Sequence, residues 1–268
     1  MIAKALTIAG SDSGGGAGIQ ADLKTFSARG VYGASVITAL TAQNTKGVTA
    51  IHDVPPKFIG QQMDAVFSDI KIDAVKIGML SQPQVIETVA GHLGDQNRSP
   101  IVLDPVMVAE SGDPLLADDA IEALINLLFP LAMLVTPNLH EAARLLNEDM
   151  ASDRAGMERQ ALALRQKGAN AVLLKGGHFD SDDAADVLVE QDGAVEWFTA
   201  PFIDTNNTHG TGCSLSSAIT AELAKGYALT DAVRTAKTWL TGAIKRSDEL
   251  NVGEGAGPVH HFHQFWNQ

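Results

Sequence analysis

The sequence predicts a three-layer α/β fold in which a mostly parallel sheet is covered by helices on both faces and ends in an antiparallel edge. Three observations carry this expectation. Short runs rich in β-branched and apolar residues recur at 5–9, 35–40, 74–77, 101–103, 133–135 and 171–174. They are near-continuously apolar rather than alternating, as strands buried on both faces are. Longer helical stretches lie between them, and strand–helix alternation of this kind builds parallel sheets with helices on both sides.

Taken in order, helices are expected near 17–28, 57–68, 83–93, 117–128, 140–146 and 153–166. Ser152 and Asp153 are cap candidates for the last, because short polar side chains accept from the free amides of a first turn. The runs 185–190 and 195–199 flank Gln191-Asp192-Gly193, a hairpin signal that supplies the antiparallel edge. Two further helices follow near 213–225 and 229–247, and a glycine-rich and then aromatic tail runs from 251 to 268. No linker, repeat or low-complexity stretch interrupts this series, so one domain over 1–268 is expected.

Composition narrows the function classes. The chain has 268 residues, 45% of them hydrophobic, enough for a continuous core. A formal charge of −13, with no dense Lys/Arg block, disfavours nucleic acid as a partner. One cysteine, Cys213, cannot form an internal disulfide, and no window offers the roughly 18 apolar residues of a membrane span. A cytoplasmic enzyme with no membrane partner is the default expectation.

Four constellations could carry chemistry. Gly10-Ser11-Asp12-Ser13-Gly14-Gly15-Gly16-Ala17-Gly18 joins the first strand to a helix, where backbone amides can meet an anion. It lacks the third glycine of the dinucleotide fingerprint and the Gly-Lys-Ser/Thr of a P-loop. Asn206-Asn207-Thr208-His209-Gly210-Thr211-Gly212-Cys213-Ser214 leads into an apolar-periodic helix. There Gly210, Thr211 and Gly212 can present successive amides to a transferring phosphoryl group. Cys213 falls in the first turn, where the helix dipole is expected to favour its thiolate; the competing reading is a small buried cysteine. Asp104 and Glu141 stand where strands end and suit Mg²⁺, although each could instead cap a helix. Lys175, followed by Gly176-Gly177, could reach a nucleotide phosphate.

The set, in this order, resembles the ribokinase-like superfamily: Gly210-Thr211-Gly212 before Cys213, with Asn138-Leu139-His140-Glu141 and Lys175-Gly176-Gly177 upstream. Within it, five stretches resemble the hydroxymethylpyrimidine/phosphomethylpyrimidine kinases: the opening glycine loop through Asp22, Thr38 to Thr45, Lys76-Ile77-Gly78-Met79-Leu80, Asp104-Pro105-Val106-Met107 and Gly257 to His263. The resemblance spans nearly the whole chain. It implies ATP and Mg²⁺ as cofactors, a homodimer, and phosphorylation of 4-amino-5-hydroxymethyl-2-methylpyrimidine to its mono- and then diphosphate in thiamine biosynthesis.

By the same resemblance Cys213 is the base, where the sugar kinases have aspartate. Gln43 reads the pyrimidine, and an amide does offer a donor and an acceptor to an aminopyrimidine edge. Asp22 holds the hydroxymethyl group, with Met79 and Val106 lining the ring pocket; the alternatives are a surface charge for Asp22 and core filler for the other two. Lys175, Thr208, Thr211 and Gly212 lie along the ATP phosphates, and Glu141 with Asp104 organises Mg²⁺. His260, His261 and His263 match no zinc spacing, and Trp239, Trp266, Phe262 and Phe265 suit core or dimer contacts. Pyridoxal kinase, or a catalytically silent pyrimidine-binding protein on the same fold, are the rival readings.

Overall fold

The computed structural model describes residues 1–96, 99–107, 119–178 and 183–266. Its strands are β1 (Lys4–Asp12), β2 (Tyr32–Asn44), β3 (Gly47–Asp53), β4 (Ala74–Ile77), β5 (Ile101–Leu103), β6 (Leu134–Val135), β7 (Val172–His178), β8 (Asp183–Val189) and β9 (Val195–Pro201). They form a nine-stranded sheet of order β3-β2-β1-β4-β5-β6-β7-β8-β9. The inner pairings from β2 across to β7 are parallel, while β2–β3, β7–β8 and β8–β9 are antiparallel.

The helices are α1 (Gly18–Ala28), α2 (Pro56–Phe67), α3 (Pro83–Gln96), α4 (Ala120–Ala123, continued as a π-turn over Leu124–Leu128), α5 (Leu139–Leu146), α6 (Arg154–Gln166), α7 (Thr211–Ala224) and α8 (Leu229–Lys245). Residues 117 and 118 of the helix expected over 117–128 lie outside the described residues. Asp153 is the cap of α6, accepting from Gly156 N at 2.7 Å. Among the described residues no helix is long and apolar enough to cross a membrane.

Strand side chains sort by alternation onto two faces. Leu6, Ile8, Val75, Ile77, Ile101 and Leu103 join one buried cluster with Ile59 and Met63 of α2, Ile86 and Val89 of α3, Leu145 of α5 and Leu164 of α6. Ala74, Val102, Leu134 and Leu173 face the other way, against Leu215 and Ile219 of α7 and Trp239 and Leu240 of α8. On that same side Ala5 packs with Phe26 of α1. Helix α7 is buried from Ser214 through Leu223, so small side chains such as Ser216, Ser217 and Ala218 replace an amphipathic stripe.

The structure differs from the sequence expectation at the first edge. A second antiparallel margin exists there: β2 runs on to Asn44, turns at Thr45-Lys46 and returns as β3. Ala50, Ile51 and His52 of β3 are exposed. An exposed edge strand needs no apolar run, and the turn has no Asn-Gly or Asp-Gly dipeptide to announce it. The expected hairpin forms as read, with Val189 opposite Val195.

Candidate active site

Asp12, Met79, Asp104, Asn138 and Lys175 stand at or beyond the carboxyl ends of the parallel strands and meet the N-terminus of α7, the usual place for ligands in open α/β sheets. Gly210 caps α7 with φ +79°, a backbone state that glycine adopts without steric cost. A Cβ there would stand 1.9 Å from the Gly16 carbonyl oxygen, so the two glycine loops touch backbone to backbone. Thr211 N and Ser214 N donate to Thr208 O and Gly210 O at 3.1 and 2.8 Å. Gly212 N and Cys213 N have no acceptor among the described residues. As second and third amides of a helix they are open to an incoming anion.

A cleft of about 160 Å³ opens here. Gln43, Met79, Val106, Asp104, Glu141, Lys175, Gly210, Thr211, Gly212 and Cys213 all line it, so the fold brings together most of the residues that the sequence singled out. A second cleft of about 530 Å³ is lined by Thr208 and by apolar groups including Leu139, Phe202, Leu215, Leu240 and Ile244. The two clefts share Asn138, Lys175, Thr211 and Gly212.

At the junction Lys175 Nζ donates to Asp104 Oδ1 at 3.0 Å. Thr136 Oγ1 donates to the same oxygen at 3.1 Å and Ser216 Oγ to Oδ2 at 3.2 Å. Burial opposes charge on Asp104, but Lys175 and Lys76 prevail and hold its carboxyl below the ordinary range. Burial likewise opposes charge on Lys175, and Asp104 and Glu141 outweigh it, holding the ammonium above its ordinary value. Glu141 closes a capping box on α5: its amide donates to Asn138 Oδ1 at 2.9 Å, and its Oε2 accepts from Asn138 N at 2.7 Å. The Asn-x-x-Glu pattern is therefore a helix start as well as a site feature. Burial and the charge of Asp104 raise the Glu141 carboxyl to about 7 against the pull of Lys175. Two carboxylates whose mutual repulsion is incompletely neutralised form a donor set that suits a hard divalent cation, Glu141 more than Asp104, whose Oδ1 already accepts from Lys175 and Thr136.

Two sequence expectations need correction. Asp22 does not line the cleft. It is fully buried, with Lys76 Nζ 2.9 Å from each carboxylate oxygen, Thr7 Oγ1 donating at 2.6 Å and Ser217 Oγ at 2.6 Å. Every lone pair that could meet a hydroxymethyl group is taken; what Asp22 supplies is the placement of Lys76, which does line the cleft. The second correction concerns Cys213. Burial drives its thiol up to about 11, reinforced by Asp22 and Asp104 and only partly offset by Lys76 and the Gly18 amide, so desolvation outweighs the helix dipole.

Three residues given no role from sequence belong to the site: Lys76, Asp12 and His209. A lysine inside the apolar run Ala74-Val75-Lys76-Ile77 was the available signal, since a buried ammonium requires a partner. The Asp12 carboxylate accepts from the amides of Gly14, Gly16 and Ala17 at 2.7, 3.0 and 2.8 Å. The amides of the first glycine loop are thus spent on an internal anion.

The model of the family described as phosphomethylpyrimidine kinase matches residues 12–260. This chain belongs to the phosphomethylpyrimidine kinase family. The hydroxymethylpyrimidine/phosphomethylpyrimidine kinase of Rhizobium meliloti is 57% identical over 99% of both chains. Among solved structures, the phosphomethylpyrimidine kinase of Clostridium difficile is 48% identical, with TM-score 0.80 over 91% of this chain and 100% of that one. An ADP complex of Bacillus subtilis pyridoxal kinase superposes over the full length of both chains with TM-score 0.91 at 37% identity. The chain is accordingly a phosphotransferase with a ribokinase-like α/β fold, and family membership makes ATP its phosphate donor.

The three C-terminal histidines are packing groups. His260, His261 and His263 are buried, the rings of His261 and His263 lie 6.5 and 5.9 Å from the Trp239 ring, and His261 Nε2 is 2.9 Å from Ser214 Oγ. Trp239 is a core residue, whereas Trp266 and Phe265 are exposed.

Proposed function

We infer that the protein transfers the γ-phosphoryl group of ATP to the hydroxymethyl oxygen of 4-amino-5-hydroxymethyl-2-methylpyrimidine, and then a second one to that monophosphate, giving the diphosphate used in thiamine biosynthesis. The observation that carries this reading is the junction of two clefts of unequal size at the free amides of Gly212 and Cys213 beside Lys175. A small acceptor on one side and a nucleotide on the other would place the moving phosphoryl group where preorganised donors stabilise its charge.

In the larger cleft the apolar residues face adenine, with Thr208, Thr211, Gly212 and Lys175 along the phosphates. In the smaller one Gln43 reads the ring edge, between Met79 and Val106. The attacking oxygen forms its bond to the γ-phosphorus as the bridging bond to the β-phosphate breaks and ADP leaves. In the first step the hydroxyl proton goes to Cys213 Sγ in its ionised form. In the second, the attacking phosphate oxygen is already anionic near neutral pH. Mg²⁺, when bound, neutralises phosphate charge; Glu141, directly or through water, and Asp104 through water are the residues that would hold it.

A cytoplasmic homodimer completes the reading. The likeness to pyridoxal kinase makes pyridoxal the second acceptor to test. Transfer of labelled phosphate from ATP, run against the pyrimidine, its monophosphate and pyridoxal, decides between them. Sequential labelling of the pyrimidine to the diphosphate is expected; labelling of pyridoxal alone, or of none, defeats the proposal.

A further inference from the structure

Gln43 sits at a register irregularity of β2, with its backbone pinned by Ser13: Ser13 Oγ donates to Gln43 O and accepts from Gln43 N, both at 2.8 Å. Its carboxamide has two polar neighbours. Oε1 stands 3.0 Å from Thr41 Oγ1, and Nε2 stands 3.5 Å from His209 Nε2. The two orientations of a carboxamide are nearly isosteric, so its hydrogen-bond partners must decide between them.

Both neighbours reject the orientation just described. His209 Nε2 is 2.9 Å from Asp12 Oδ2, an oxygen that already accepts from the Gly16 and Ala17 amides. Burial opposes ionisation of Asp12, yet His209 and the amides of Ala17 and Gly14 hold its carboxyl below the ordinary range, so it is a carboxylate and can only accept. The proton between them is therefore on His209 Nε2, which then faces the Gln43 NH₂ donor to donor. On the other side Thr41 Oγ1 is 2.9 Å from the Ser11 carbonyl oxygen. A threonine hydroxyl has one proton and cannot satisfy both Ser11 O and Gln43 Oε1. Turning the amide over removes both conflicts: Thr41 donates to Ser11 O and accepts from Gln43 Nε2, while Gln43 Oε1 faces the His209 N–H.

We propose that Asp12–His209 and Ser11–Thr41 lock the Gln43 amide with its oxygen toward His209 and its nitrogen toward Thr41, and that this lock sets which ring edge the acceptor site takes. His209 and Thr41 are positioning residues here, and the inference rests on the reading that Gln43 contacts the ring. The remaining Nε2 proton and Oε1 lone pair then form an ordered edge, donor on the Thr41 side and acceptor on the His209 side. A 4-aminopyrimidine matches it with ring N3 toward Thr41 and the amino group toward His209. The 5-hydroxymethyl group, next to the amino group and away from N3, is then directed toward the turn that continues from His209 through Gly210 to Cys213. A 4-oxo analogue, with N3–H as donor and O4 as acceptor, meets the locked edge donor to donor and acceptor to acceptor.

The test compares kcat and KM for the 4-amino substrate and its 4-oxo analogue in the full-length protein and in Thr41→Val, Thr41→Ser and Gln43→Leu. The unaltered protein should prefer the amino compound by about 10²-fold or more in kcat/KM. Thr41→Val removes one of the two partners that fix the amide and should lower that preference by about tenfold, mainly through KM, whereas Thr41→Ser should retain it. In the unaltered protein, proton NMR should show the Gln43 amide protons close to the Thr41 methyl group. A preference untouched by Thr41→Val but lost in Gln43→Leu overturns the lock alone. A preference that survives Gln43→Leu overturns the ring-contact reading as well, and Gln43 amide protons close only to the His209 ring overturn the assigned orientation whatever the variants do.

Discussion

Lys76 Nζ lies 2.9 Å from each carboxylate oxygen of Asp22, and both side chains are wholly buried between the sheet and helices α1 and α7. Burial alone would depress the Lys76 ammonium, but Asp22, Cys213 and Asp104 outweigh it and hold it above its ordinary value. The pair thus fixes a permanent positive charge in the wall of the acceptor cleft. Lys76→Met should destabilise the fold by about 3–5 kcal/mol, because it strands a buried carboxylate. The double variant Lys76→Met/Asp22→Asn should recover much of that loss in urea unfolding without recovering turnover. Recovery of both would reduce the pair to a structural role.

Cys213 gives a kinetic signature. With its thiol raised to about 11, thiolate is scarce at neutral pH. Alkylation of the ligand-free protein by iodoacetamide should therefore be slow near neutrality and rise about tenfold per pH unit into the alkaline range. Cys213→Ala should slow the first phosphorylation by roughly 10²–10⁴-fold and the second far less, because only the first has a hydroxyl proton to remove. Equal losses in the two steps, measured with each acceptor separately, would leave Cys213 a packing residue.

What sequence could show follows from range. The inner strands and their helices were legible because burial on both faces writes itself into consecutive residues, and the Gly210–Cys213 turn because a short segment forms it. The role of Asp22 was not, because its partner Lys76 is 54 positions away. Asp12 and His209, 197 positions apart, meet only once the two glycine loops have docked. The Cys213 thiol departs from the sequence expectation for a related reason: the helix dipole is a local property, whereas desolvation depends on everything packed around the sulfur.

Glu141 should couple stability to pH. Its carboxyl is raised to about 7 in the fold from an ordinary 4.5, so between these values the folded chain holds a proton that the unfolded chain releases. Stability must then fall as pH rises through this window. Glu141→Gln preserves the capping acceptor and removes the charge. It should leave stability near pH 5 almost unchanged and raise it by about 2 kcal/mol near pH 8, in protein free of nucleotide and metal. The same variant should need about tenfold or more Mg²⁺ for half-maximal rate if Glu141 holds the cation.

His261 acts in the opposite direction. Burial, together with Lys24 and the neighbouring His260 and His263, lowers its imidazole from 6.5 to about 3. A base with a depressed folded value contributes its full stability above about pH 6.5 and loses it progressively as pH falls toward 3. Chemical unfolding at a series of pH values should show about 2 kcal/mol lost to this residue between pH 7 and pH 5. His261→Asn should flatten that limb; an unchanged slope would assign it to other groups.

The two ends of α7 provide a paired test of why the catalytic turn needs glycine. Gly210 at the start has φ +79° and Gly226, just past the end, has φ +89°, so alanine bears similar backbone strain at either, about 1 kcal/mol. Their surroundings differ. A Cβ at Gly226 meets nothing within 4 Å, whereas at Gly210 it would lie 1.9 Å from the Gly16 carbonyl oxygen. Gly226→Ala should therefore cost about the strain alone and keep full activity. Gly210→Ala must force the two glycine loops apart, withdrawing the Gly212 and Cys213 amides from the junction of the clefts and breaking the His209–Asp12 contact. A loss of about 10²-fold or more in kcat is expected, with a destabilisation of about 3 kcal/mol. Equal effects of the two substitutions on thermal unfolding and turnover would show that backbone conformation, and not the close approach of the loops, is what the turn requires.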